Sequence, residues 1–139
     1  MATATYNKFE AFTGTLGLNQ PELNANTVKI YLTNATPSAS ADSIKTDLAE
    51  ITAGNGYTAG GYDSTNTYSE SGGVGTFGGT SFDITASGGA INTFRYLVMY
   101  NDTSTNDDLM AWWDYGSAVD LADGQTLAVT IGANLFTLT

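Results

Sequence analysis

Apolar and polar residues alternate with a period of two at several places along this 139-residue chain, and the pattern predicts a β protein. Residues 28–33 read VKIYLT, with Val28, Ile30 and Leu32 on one face and Lys29, Tyr31 and Thr33 on the other. Residues 81–85, 93–100 (TFRYLVMY) and 109–115 (LMAWWDY) are rich in the β-branched and aromatic residues that suit a pleated surface. Ser87-Gly88-Gly89 and the polar stretch 101–108 separate them with turn chemistry. The simplest reading is a three-stranded antiparallel meander over residues 81–116, in the middle of a sheet. One face of its second strand carries Phe94, Tyr96, Val98 and Tyr100, and the other carries Arg95, Leu97 and Met99. Its third strand divides into Leu109, Ala111, Trp113 and Tyr115 against Met110, Trp112 and Asp114. Neither face is a solvent face, so these strands are covered on both sides within the fold or pressed against another chain.

Elsewhere the pattern is thinner. The glycine-rich stretch 54–79 holds short strand candidates at 57–58, 66–68 and 75–77. No Gly-Lys-Ser/Thr follows these glycines and no helical pattern opens at the last of them, so they read as turns and not as a phosphate cradle. Asp123-Gly124 is a hairpin signal before strands at 126–131 and 135–138. Ile44, Leu48 and Ile51 fall at i, i+4, i+7, with Ser40 and Asp42 as N-cap candidates and Gly54 beyond, which predicts one short helix over 43–51, set as a lid on an open end of the sheets. In residues 1–27, Tyr6, Phe9 and Phe12 recur at intervals of three before Gly14 and Gly17 interrupt any helix. This stretch reads as an N-terminal arm or a single short turn, its aromatics docking on their own domain or on a neighbouring subunit. The expected architecture is therefore all-β: an antiparallel β-sandwich of about seven or eight strands with Greek-key-like connections and one short α-helix. Jelly-roll and immunoglobulin-like topologies both fit, with residues 1–27 as the arm and residues 28–139 as a single domain.

Composition narrows function mainly by exclusion. Cysteine and histidine are absent, which removes disulfides, thiolate metal sites and the usual general base. Four basic residues against fourteen acidic ones give a net charge of −10, the wrong sign for a nucleic acid or an anionic membrane as partner. The opening residues lack a basic region followed by an apolar core, and no run approaches membrane-spanning length, so a soluble product without a classical secretion signal is expected. Asp102, Ser104, Asn106 and Asp108 repeat the oxygen spacing that begins a calcium loop. Asp107 stands where that loop needs glycine, however, and Trp113 where it needs a bidentate glutamate. Asp83, Asp114 and Glu70 are scattered singles and not a glycosidase pair. No enzyme, metal or cofactor is expected. Trp112, Trp113, Tyr115, Tyr96 and Tyr100 suit either a core, an interface or a glycan-stacking platform. Arg95, the single arginine, is placed to pair with Asp114 or to anchor an interface.

Several strings carry a more specific message: KF at 8–9, VKIYLTN at 28–34, DLAEITAGNGYTAGG at 47–61, FDITASGGAINTFRYLVMYND at 82–102 and WWDYG at 112–116. In these, and in their order, the chain resembles a family of small structural proteins from the virions of tailed bacteriophages and prophages. The resemblance implies a capsid decoration (cement) protein or another surface protein of the particle, with no catalytic or cofactor residue to carry over. The leading expectation is a protein made in the bacterial host cytoplasm and located on the capsid surface. There it binds the major capsid protein where its subunits meet, as a homotrimer, with Tyr6, Phe9, Phe12, Arg95, Tyr96, Tyr100, Trp112, Trp113 and Tyr115 as interface candidates. The alternative is a tail or fibre-associated module that touches glycans through Trp112 or Trp113.

Overall fold

The computed structural model describes residues 3–19 and 21–139. It is an all-β, sandwich-like fold with antiparallel sheets and one short α-helix. One layer is a five-stranded sheet in the order β1-β8-β7-β2-β3, built from Asn7–Lys8 (β1), Val28–Thr33 (β2), Tyr62–Asp63 (β3), Ile91–Asn101 (β7) and Asp108–Leu121 (β8). The facing layer comes from Thr67–Ser71 (β4), Val74–Gly78 (β5), Phe82–Thr85 (β6), Thr126–Val129 (β9) and Phe136–Leu138 (β10). There β5 pairs with β4 and β10, and β6 pairs with β9. The β5–β6 and β9–β10 stretches run as two bent antiparallel lines. Between their paired parts, the Gly79 N–H donates to the Gly132 carbonyl (3.3 Å) and the Ile131 N–H donates to Ser81 Oγ (3.0 Å).

The reading that the central strands are two-sided holds, and the fold itself covers both faces. Between the layers lie Ile30, Leu32, Phe77, Ile84, Phe94, Met99 and Ile131. On the outer face of the five-stranded sheet, Phe9, Tyr31, Leu48, Tyr96, Val98, Tyr100 and Leu109 form a second buried cluster. The covering segment is stitched down by the Leu109 N–H to the Ser43 carbonyl (2.9 Å) and the Lys45 N–H to the Asp107 carbonyl (3.0 Å). Register irregularities redistribute the predicted faces. A shift between Phe94 and Tyr96 moves Phe94 to the inter-layer core, away from Tyr96 and Val98, and another near Met99 places Met110 and Ala111 in that same core. Bulges of this kind reverse a strand's alternation locally, so a strict period of two misassigns residues beyond them.

Four further expectations are corrected. Residues 82–85 are a strand, but they pair with β9 and not with β7, so the meander reduces to the β7–β8 hairpin. Asp123-Gly124 does form a tight turn, with the Gln125 N–H on the Ala122 carbonyl (2.9 Å). The strands it joins lie in different layers, though, because the Ala86 N–H donates to the Gln125 carbonyl (2.9 Å) and draws β9 to β6. The helix is also displaced. Residues 43–51 contain only a 3-10 turn at Lys45–Asp47, whereas Glu10–Leu18 forms α1 inside the supposed arm. Leu48 belongs to the outer cluster and Ile51 to the inter-layer core, so the three apolar residues serve two faces of the sheet and no single helical stripe. The Asp47 carboxylate accepts the Ser43 (2.8 Å) and Ile44 (3.0 Å) N–H groups and closes the turn early. In α1, Gly14 and Gly17 face open space, and buried Phe12 with partly buried Leu16 anchors the helix to the core, which offsets roughly 1 kcal/mol of helix propensity per glycine. The 57–58 candidate is a turn closed by an isolated bridge between Gly54 and Tyr57, and a strand forms instead at Tyr62–Asp63.

Candidate functional site

The most specific string, AEITAGNGYTAGG, turns out to be an architectural clamp. Glu50 accepts hydrogen bonds from Lys45 Nζ, Tyr57 Oη and the Gly60 N–H, each at 2.6 Å. Burial pushes the Glu50 carboxyl up, but these bonds and the Lys45 charge outweigh it and hold the group below the usual carboxylate range. Lys45 Nζ lies 5.0 Å from the Tyr31 ring centroid and 5.5 Å from that of Tyr100, a cation held between aromatic faces. Tyr57 Oη also accepts the Leu32 N–H (3.1 Å), tying the loop to β2, and burial pushes its phenol far up. Two glycines permit the close approach. A Cβ on Gly61 (φ +80°) would lie 2.0 Å from the Ile30 carbonyl oxygen, and one on Gly56 (φ +98°) 2.2 Å from that of Thr85. The second specific string, ITASGG, sits against the first: the Ser87 N–H donates to the Asn55 carbonyl (2.9 Å), and Asn55 Nδ2 donates to the Ala90 carbonyl (2.7 Å).

The surface offers a different kind of site on one open side of the sandwich. An apolar groove of about 640 Å³ lies there, lined by Ile30, Leu97, Trp113 and Tyr115 from the five-stranded sheet, by Leu127, Val129, Ile131 and Leu135 from the facing layer, and at its margin by Thr3 and Ala4 of the N-terminal segment. Among the described residues no charged side chain lines it. Two strand edges border it. β9 pairs with β6 on one side, and its other side has no strand partner among the described residues. Among the described residues β8 meets β1 only at Ala111 and Trp112, and from Trp113 onward its outer side has no strand partner. Beyond Tyr115 the β8 edge is interrupted: register passes from Tyr96↔Asp114 to Phe94↔Val119, and Gly116 takes φ +94°. The Arg95–Asp114 pair, one of the two roles the sequence left open for Arg95, forms there as a two-pronged contact, Nε to Oδ1 at 2.7 Å and a terminal nitrogen to Oδ2 at 2.9 Å, and the Gly116 N–H adds a third bond to Asp114 (2.8 Å). Arg95 thereby holds the Asp114 carboxyl down.

The interface candidates divide according to this geometry. Trp113 and Tyr115 line the groove, with Tyr115 38% exposed. Tyr6 packs beside Trp113, its ring 5.8 Å from Trp113 and 6.2 Å from Phe136, and burial raises its phenol to about 12. Phe9, Phe12, Tyr96 and Tyr100 are buried in the chain's own core. Half-buried Trp112 lies on the opposite face from Trp113, its ring 4.5 Å from Phe9. Leu127, Val129 and Leu135, which complete the groove, were not singled out by sequence, because nothing in a short apolar strand reveals which of its edges stays unpaired.

In the loop with calcium-like spacing, Asp102 is engaged by Lys29 (2.8 Å) and by Tyr100 Oη (3.2 Å), while Ser104 Oγ donates to the Asn101 carbonyl (2.9 Å) and accepts the Asp108 N–H (2.8 Å). These side chains close a turn instead of converging on a common centre, and among the described residues no group of three or more acidic side chains is placed to hold a metal ion. No helix among the described residues is long and apolar enough to cross a membrane. No family model, curated protein or solved structure matches the chain.

Proposed function

We propose that the chain is a structural protein of a tailed-phage virion: a capsid decoration (cement) protein that binds the major capsid protein where its subunits meet, as a homotrimer on the capsid surface. The observation that carries this reading is the open apolar groove beside Trp113 and Tyr115, on a body whose other large aromatics are mostly internal. An exposed apolar surface bordered by unpaired strand edges is what a subunit of a larger assembly retains for its neighbours. The resemblance of the clamp strings to phage virion proteins supports the same reading. Those strings build the scaffold, while the groove gives the scaffold something to bind with. The net charge of −10 argues against nucleic acid as the partner. Immunogold electron microscopy of intact particles, with antibody raised against this chain, tests the proposal. Dense label over the head is the expected result, and unlabelled particles refute a surface location.

A second reading is favoured by Tyr115 itself, whose exposed ring beside Trp113 is a platform on which a sugar can stack. A tail or fibre-associated module that binds bacterial surface glycans would show label confined to the tail and a glycan-array signal abolished by Trp113→Ala.

A further inference from the structure

We propose that the groove receives one extended, cationic segment of a partner protein, which adds as a strand to the outer edge of β9 and buries alternate apolar side chains against Trp113, Tyr115 and Leu97. The inference rests on the virion reading for the source of the segment, a subunit of the shell. Its first support is the edge itself. Exposed edges are ordinarily blunted with lysine, proline or inward-pointing charge, because an unpaired row of N–H and C=O groups recruits other strands. Residues 126–130 read TLAVT and carry none of these devices, although the strand ends its sheet. The second is the groove's shape and chemistry. Leu127 and Val129 are half-buried at alternate positions, with Trp113 and Tyr115 across from them, and a volume of about 640 Å³ suits a few side chains and not a folded domain. Main-chain bonds to a free edge, with pockets for every second side chain, are the physical basis of strand addition.

Charge selects the occupant. Of the four basic residues, Lys29, Lys45 and Arg95 are already paired with Asp102, Glu50 and Asp114, so the net charge of −10 acts on an incoming chain with almost no free positive group to offset it. Asp83 stands opposite Ala128 across the β6–β9 ladder and is exposed. A strand from a second copy of this chain entering the groove would meet repulsion there, whereas a segment bearing lysine or arginine at its outward positions is attracted.

The probe is an acetylated and amidated heptapeptide, Lys-Val-Thr-Val-Lys-Val-Lys, titrated into the full-length 15N-labelled protein and followed by amide and indole shifts. Shifts confined to residues 126–131 and the Trp113 indole are expected, with an otherwise identical peptide carrying Glu for Lys binding at least ~tenfold more weakly. Ala128 is exposed, so Ala128→Lys and Ala128→Glu leave folding intact; the first weakens the basic peptide ~tenfold and the second strengthens it. Absence of shifts, shifts mapped elsewhere, or indifference to peptide charge overturns the inference. Co-sedimentation of the protein with particles that lack it separates the two proposals. Binding to particles without any peptide response removes strand addition and keeps the virion reading, whereas a groove-mapped peptide response without particle binding does the reverse.

Discussion

Replacing Glu50 with alanine removes the acceptor that holds three donors together, and the structure sets the size of the loss. Lys45 Nζ, Tyr57 Oη and the Gly60 N–H each lose a 2.6 Å charge-assisted bond. The Glu50 side chain is only 16% exposed and that of Lys45 20%, so water compensates incompletely. Hydrogen bonds to a charged group contribute about 1.5–3 kcal/mol each, and stranding one partner of a buried ion pair costs about 3–5 kcal/mol. Because the three bonds share one carboxylate they are not additive, and about 4 kcal/mol is expected for Glu50→Ala, a fall in Tm on the order of 15 °C for a chain of this size. Glu50→Gln retains an acceptor for Tyr57 or Gly60 but not the charge, and is expected to cost about 2 kcal/mol. The pH dependence follows in sign. With its folded-state pKa held below the unfolded value of about 4.3, Glu50 binds fewer protons folded than unfolded. Its contribution is therefore full above that value and is lost as pH falls through the lower folded pKa. Urea denaturation of wild type and Glu50→Gln between pH 7 and pH 3 should show a gap that is constant near neutrality and narrows below about pH 4. A Glu50→Ala loss under about 1 kcal/mol at pH 7, or a gap that widens in acid, would refute the clamp.

Gly61→Ala should abolish folding or cost several kcal/mol, because its Cβ meets the Ile30 carbonyl. Gly72→Ala, also at positive φ (+61°) but with nothing nearby, should cost only about 1–2 kcal/mol by chemical denaturation. Phe12→Ala should lose about 3–5 kcal/mol in the same assay, since Phe12 is 2% exposed and packs edge-on to Phe136; an effect near zero would mean that α1 does not dock. Tyr62 Oη is buried with no hydrogen-bond partner among the described residues, so Tyr62→Phe should be neutral or stabilising by up to about 1 kcal/mol in thermal denaturation. Isothermal titration with millimolar calcium should give no binding heat, because Asp102 is already engaged by Lys29 and Tyr100.

The sequence by itself determined the fold class and the local strands. Val28–Thr33 and the β7–β8 hairpin follow from alternation and β propensity, properties of residues close along the chain, while the Arg95–Asp114 pair was one of two roles that cross-strand neighbourhood left open for Arg95. Two-sided burial of the central strands was equally legible, since apolar residues on both faces have nowhere else to go. Tertiary structure alone decided what depends on distant partners. The helix forms at Glu10–Leu18 despite two glycines because Phe12 finds a core pocket, and it fails at 43–51 because Leu48 and Ile51 are claimed by opposite faces of one sheet. β6 and β9 find each other across 40 residues of intervening chain, a pairing that no local turn signal encodes. The groove was the least legible feature. Trp113 and Tyr115 announced themselves as large aromatics, but so did Phe9, Phe12, Tyr96 and Tyr100, which are buried in the core. A side chain's chemistry sets how strongly it seeks burial, while the strand edges left without partners decide which aromatic surface remains open to another molecule.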